Sequence, residues 1–333
     1  MSRPLSSTLS HLHRASRAVA AASTTLLLLL LQLGGVGCVA SHRETTPAEL
    51  GVASSSDAML ETLLEPGPIR FEKVVAADWA VDLSGLVNLD HPKARSADLE
   101  DGLEAIQLYF YVLEHPEHGT FIVDSGVEQG FLEPAENDRV SFIVRQAMNI
   151  EGLRVHVTMA DWLAARPEPL AGVFLTHLHI DHVMGLPDLP DDTPVYAGPG
   201  EPHARGFLNL FTQGTIDDLT ARQGVLREWQ FEGDPGGRFA GVVDVFGDGS
   251  VWALHVPGHS PGSTAFLVRT TEGPELLIGD ATHTAWGWNN GVEPGTFSHD
   301  QPRSVTSLAT LLELSEAHPG IRVHPGHQSL AQE

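Results

Sequence analysis

Residues 173–185 read Val-Phe-Leu-Thr-His-Leu-His-Ile-Asp-His-Val-Met-Gly, an apolar β-prone run cut short by four potential metal ligands: His177, His179, Asp181 and His182. In extended backbone the side chains alternate, so His177, His179 and Asp181 leave the strand end on one side. His182, one step out of phase, faces a second centre. Imidazole nitrogen and carboxylate oxygen suit zinc and similar divalent ions. Burying so dense a cluster is costly without a cation to neutralise and hold it. A solvated, histidine-rich loop is the plain alternative, and the rest of the chain weakens it.

The chain has 333 residues, 42% of them hydrophobic, enough for one large domain or two small ones. Its formal charge is −24; with Arg3, Arg14 and Arg17 of the first 37 residues set aside, 16 basic residues against 43 acidic ones leave −27. So acidic a surface repels phosphate backbones, which argues against a nucleic-acid partner unless metal ions mediate the contact. A single cysteine, Cys38, excludes an internal disulfide and any cysteine-based zinc cage.

Residues 1–37 read as an export signal: the three arginines precede an uncharged run, 18–33, with six consecutive leucines at 26–31. The run is short for a spanning helix. It closes on Gly34-Gly35-Val36-Gly37 just before Cys38, an arrangement that resembles a bacterial lipoprotein signal, in which the cysteine becomes the lipidated first residue. Gly35 departs from that pattern, which usually has leucine there. The expectation is an exported protein held to the membrane through Cys38; cleavage after Ala40, giving a soluble secreted or periplasmic form, is the alternative. Residues 38–68 are rich in Ser, Thr, Ala, Glu and Pro without a sustained apolar period, and are expected to form a flexible tether to a folded domain at 69–333.

Short strands are expected at 71–76 and 79–83, a charged loop at 88–102, and a hairpin pairing 104–114 with 119–124. His115 and His118 fall in its turn, where exposure and no function are expected. Asp124 ends a buried-looking strand as Asp-Ser-Gly; it either caps a turn or orients a metal-bound imidazole. Helices are expected at 140–149, 160–165, 202–211 and 302–317, and strands at 194–197, 225–231, 242–246, 251–256, 264–269, 275–279 and 321–323. The rigid turn Pro257-Gly258-His259-Ser260-Pro261-Gly262-Ser263 presents His259 at a strand end, Asp280 ends the next-but-one strand, and His324-Pro325-Gly326-His327 follows the last.

His177-x-His179-x-Asp181-His182, then His259, Asp280 and His327 in that order, resemble the metallo-β-lactamase superfamily over about residues 69–333. The resemblance implies a four-layer αββα sandwich with the metal site at one edge. It implies two Zn2+ or similar divalent ions, one held by His177, His179 and His259, the other by Asp181, His182 and His327, with Asp280 bridging them. His324 is expected to be structural, and His255, within a strand, to be packing or surface. The implied mechanism is hydrolysis by a metal-bridging hydroxide, with Asp181 also orienting the nucleophile.

Residues 243–251, 257–262 and the Gly279-Asp280-Ala281 step look most like the N-acyl-homoserine lactonase branch. An ester or lactone is therefore the favoured small-molecule substrate, with phosphodiesterase, thioesterase, aryl esterase or β-lactamase-like activity, or a non-catalytic metal-stabilised surface protein, as alternatives. Two positions depart from the branch. His283 stands where those lactonases carry a tyrosine that assists at the substrate oxygen, and Ser263 where they commonly carry histidine. His283 can donate a hydrogen bond or proton in the tyrosine's place, or merely pack beside the metals. Trp286 and Trp288 could line an acyl pocket or belong to the core.

Overall fold

The computed structural model describes residues 38–133, 137–166, 168–206 and 208–330; the expected export signal lies outside them. Two sheets carry the fold. The first runs, in spatial order, β1 (Thr45–Pro47), β9 (Leu226–Glu228), β8 (Val195–Ala197), β7 (Leu170–Phe174), β5 (Gly119–Val123), β4 (Leu103–His115), β3 (Arg70–Asp82) and β6 (Arg154–Val155). The second runs β14 (Arg322–His324), β13 (Gly273–Leu277), β12 (Thr264–Thr270), β11 (Val251–His255), β10 (Gly241–Asp244) and β2 (Val52–Ala53). Both are mixed: β3, β4 and β5 are antiparallel while β5, β7, β8 and β9 run parallel, and only β13 and β14 are parallel in the second.

Period-two alternation decides the layering. Along β4, Leu108, Phe110 and Val112 point to one apolar cluster while Tyr109, Tyr111 and Leu113 point to another. The second of these clusters lies between the sheets, where Phe121, Phe174 and Trp229 from the first meet Val243, Phe266 and Leu277 from the second. Outside the first sheet pack helices Met159–Ala164 and Asn209–Thr220, through Met159, Trp162, Ile216 and Leu219. Outside the second pack Ser56–Thr62, through Met59, and Gln301–Ala317, whose Leu308, Leu311 and Leu314 recur at helical spacing. Each such leucine contributes about 1.5–3 kcal/mol on burial. Three apolar layers thus separate four layers of structure, the αββα sandwich.

The structure corrects several expectations. The stretch expected to be a tether folds with the rest: from Val39 onward the chain clusters as one unit. β1 joins the edge of the first sheet beside β9, β2 joins the edge of the second beside β10, and Met59 and Leu63, just after β2, are fully buried in the apolar cluster outside the second sheet. Two- and three-residue strands are too short to carry a period, so only their pairing reveals them. The two strands expected at 71–76 and 79–83 are one, β3, bent by a bulge between Val75 and Ala77. The loop at 88–102 contains the helix Pro92–Ser96. The helix expected at 202–211 begins instead at Asn209, because residues 200–204 are spent in turns, His203 N donating to Gly200 O and Ala204 N to Glu201 O. His115 is buried rather than exposed, its Nε2 2.9 Å from Asp248 Oδ2 and its ring against His118 and Phe246.

Candidate metal centre

The ligand candidates sit where strands end. His177, His179, Asp181 and His182 follow β7, the last two in the short helix Ile180–Val183; His259 lies in the turn after β11, Asp280 after β13 and His327 after β14. Two glycines allow the close approach. Gly279 has φ +48°, and a side chain there would strike Thr176; a Cβ on Gly326 would run into Asp280 Oδ1.

All seven residues converge in two groups: His177, His179, His259 and Asp280 in one, and Asp181, His182, Asp280 and His327 in the other. Within each, one ligand atom per residue lies within 4.8 Å of the others. In the first, His177 Nε2, His179 Nδ1 and His259 Nε2 lie 2.9–3.1 Å from one another. In the second, His327 Nε2 is 3.2 Å from Asp181 Oδ2 and 3.3 Å from Asp280 Oδ1. Asp280 Oδ2 also lies 3.4 Å from both His182 Nε2 and His259 Nε2, so this carboxylate belongs to both groups.

The outer nitrogens are fixed from behind, which decides which atom faces the centre. His182 Nδ1 is 2.8 Å from Asp124 Oδ2, and His327 Nδ1 is 3.1 Å from the carbonyl of Gln107. Both leave Nε2 inward. Asp124 adopts φ +58°, a left-handed conformation that aspartate tolerates better than most residues. Its carboxylate also accepts from Thr176 N at 2.8 Å, so the strand end that starts the cluster and the histidine that ends it share one anchor. Of the two roles read for Asp124, orienting an imidazole is the one its contacts serve.

A divalent cation fits this donor set. His182 Nε2 and Asp280 Oδ1 are buried, aimed inward and without a hydrogen-bond partner, and three ring nitrogens at mutual contact distance repel unless something positive lies between them. Burial, and then the neighbouring imidazoles, holds His177 and His259 well below the ordinary histidine range, in the neutral form that ligates metals. Burial acts the same way on His182 and His327, but the surrounding carboxylates outweigh it: His182, beside Asp124, Asp280 and Asp181, is raised well above that range, and His327, beside Asp280 and Asp181, rises to about 10. Burial pushes Asp181 and Asp280 up, and the facing histidines bring both below the usual carboxylate range.

His283 is buried at the same place. Its Nδ1 lies 3.1 Å from the carbonyl of Leu86 and its Nε2 3.1 Å from Asp280 Oδ2, with its ring stacked on His327. It is fixed from behind as the ligands are, but the metal-ligand groups do not include it. His324 pairs with buried Glu275 at 2.8 Å, and His255 stacks on Phe231; both are structural, as expected. Trp288 belongs to the core under the second sheet, whereas Trp286 is only half buried.

Sequence reasoning missed Glu201. Its buried carboxylate accepts from Leu178 N at 2.7 Å, from Gly262 N at 2.7 Å and from the Ser260 hydroxyl, joining the loop of His177 and His179 to the turn of His259. Ser263, the other departure from the lactonase pattern, accepts from Ser260 N at 2.9 Å and completes this tie.

The sequence profile described as Metallo-beta-lactamase superfamily matches residues 105–327. The N-acyl homoserine lactonase AttM of Azorhizobium caulinodans is 29% identical over 260 residues, covering 72% of this chain and 87% of that protein. Gamma-lactamase FDB1 of Fusarium pseudograminearum is 27% identical over 232 residues, covering 62% of this chain and 52% of that protein. A crystal structure of a quorum-quenching N-acyl homoserine lactone lactonase superposes with a TM-score of 0.55 at 20% identity, over 79% of this chain and 93% of that one, which speaks to the fold. Profile, sheets and ligand order agree: the chain belongs to the metallo-beta-lactamase superfamily.

Proposed function

We propose that this metal-dependent hydrolase holds two zinc or similar divalent ions and opens the ring ester of a lactone, an N-acyl-homoserine-lactone-like compound above all. The observation that carries the reading is Asp280, one carboxylate shared by two ligand groups. Seven ligands exceed what one tetrahedral ion uses, and a structural site closed at four needs no shared carboxylate. His177, His179 and His259 would hold one ion, and Asp181, His182 and His327 the other. The bound ions supply Lewis acidity toward the carbonyl oxygen and a water made acidic enough to attack at neutral pH.

The chain's own groups do the rest. Asp124, Gln107 and Glu201 hold the ligands from behind, so little reorganisation is left for the reaction. Asp181, least enclosed of the acidic ligands, orients the attacking water. His283, its Nδ1–H donated to the Leu86 carbonyl, would take up at Nε2 the proton released by the attacking water and pass it to the alkoxide oxygen that leaves as the ring opens. Phe297, 40% exposed with its ring 6.2 Å from that of His283, offers an apolar wall for an acyl chain, and half-buried Trp286 is a further aromatic group in the adjoining segment. The lactonase relatives support the substrate class, and the gamma-lactamase relative makes cyclic amides the informative competitor.

A panel of N-acyl-homoserine lactones, simple lactones, aryl esters, thioesters, bis-aryl phosphates and γ- and β-lactams tests this. The highest kcat/KM is expected on the acyl-homoserine lactones. Turnover of phosphodiesters or lactams with none of lactones would replace the reading.

We also propose that the chain is exported and held to a membrane through Cys38. The full chain should then fractionate with membranes, and Cys38→Ala should leave unprocessed precursor or soluble protein. Identical partitioning of both forms, each processed to the same mature size, would remove the lipid anchor and favour cleavage after Ala40.

A further inference from the structure

Large apolar side chains stand exposed at the starts of two helices that pack together, Phe142 and Ile143 on Phe142–Ala147 and Leu208 and Leu210 at the start of Asn209–Thr220. Each is 57–68% exposed, and none belongs to the metal centre. The stretches that bear them are poorer in acid than the chain as a whole. Residues 139–150 and 202–216 contain no Asp or Glu, although the chain has 43, and they carry Arg139, Arg145 and Arg205. Arg139 pairs with Glu128 at 3.3 Å, and Asp138, Glu151, Glu201 and Asp217 flank the two stretches, so what this face offers is exposed apolar surface with little acid on an otherwise acidic protein, which matches the interface of a bilayer.

The path of the chain points the same way. Gln213 Nε2 donates to the carbonyl of Val39 at 2.8 Å, while His42 N and Nδ1 reach Asp217 four residues further along the same helix. Followed back toward Val39, the backbone therefore runs toward the helix end that bears Leu208 and Leu210. Upstream of Val39 lie Cys38 and the uncharged run 18–33. Among the described residues no helix is long and apolar enough to cross a membrane.

We propose that the face bearing Phe142, Ile143, Leu208 and Leu210 seats on a lipid bilayer, held there by the N-terminal anchor proposed above, on which this inference rests. The test places an environment-sensitive fluorophore on Leu210→Cys or on Val305→Cys, an exposed position of helix Gln301–Ala317, in chains purified from membranes with Cys38 retained, whose thiol does not react once acylated. The chains are mixed with vesicles of phosphatidylethanolamine and phosphatidylglycerol, or of phosphatidylcholine alone, and metal content and lactone turnover are checked for each.

On both kinds of vesicle, position 210 should shift to the blue and be quenched about tenfold less by an aqueous quencher than position 305. Added Leu208→Asp with Phe142→Asp should abolish the difference and leave turnover unchanged. Equal quenching at both positions on sedimented vesicles overturns the face while leaving an N-terminal anchor intact. Protection at 210 without lipid, growing with protein concentration, means that a second copy covers the face and overturns the proposal. Failure to sediment, with wild-type chain soluble in cells, overturns anchor and face together.

Discussion

His283 is fixed by the Leu86 carbonyl on one side and faces Asp280 on the other, so its substitution separates chemistry from metal binding. His283→Ala should lower kcat on the preferred substrate about a hundredfold, the usual cost of losing one well-placed donor, with metal content unchanged. Elemental analysis beside steady-state kinetics checks this; an unchanged kcat would make His283 a packed neighbour of the metals. The metal-ligand candidates were legible in sequence because each follows an apolar strand or sits beside a glycine turn, in one chain order, whereas His283 came into view only as a departure from the lactonase pattern. Asp124 was legible as two alternatives, and only its 2.8 Å contact to His182 Nδ1 chooses between them. Glu201 was not legible, because the groups it joins lie 23, 59 and 61 residues away and two of its three contacts are to backbone N–H groups.

Among the elements, long ones were readable and short ones were not. β4 and β5 carry enough alternation to announce a hairpin, and Gln301–Ala317 repeats its leucines over several turns. β1 and β2, three and two residues long, show no period, and Met59 and Leu63 mark one face of a helix only once its partner cluster is known. The segment 39–68 accordingly read as a tether, whereas it runs from the edge of one sheet to the edge of the other and covers edges that would otherwise invite pairing with another chain. Met59→Ala should therefore destabilise the protein by about 2–5 kcal/mol, as for a fully buried methionine. Denaturant unfolding checks this, since the same change in a solvated tether would cost about 0.5 kcal/mol or less.

Across the whole molecule, the candidate metal centre is where the two sheets meet chemically. His177, His179, Asp181 and His182 come from the first sheet; His259, Asp280 and His327 follow strands of the second. Two ions with Asp280 between them would neutralise buried carboxylates and imidazoles and bind the sheets together at that edge. The ligand order was visible in sequence; that each ligand group draws on both sheets was not, because sequence does not show which strands share a sheet. The most direct measurement is metal content per chain, by elemental analysis of purified wild type and Asp280→Asn. About two equivalents in the wild type are expected, because seven ligands exceed one tetrahedral ion, with occupancy and hydrolysis falling together in the variant. A wild type that holds one equivalent or none after incubation with zinc, manganese or cobalt, or an Asp280→Asn chain that keeps both ions and full activity, would contradict the shared-carboxylate centre.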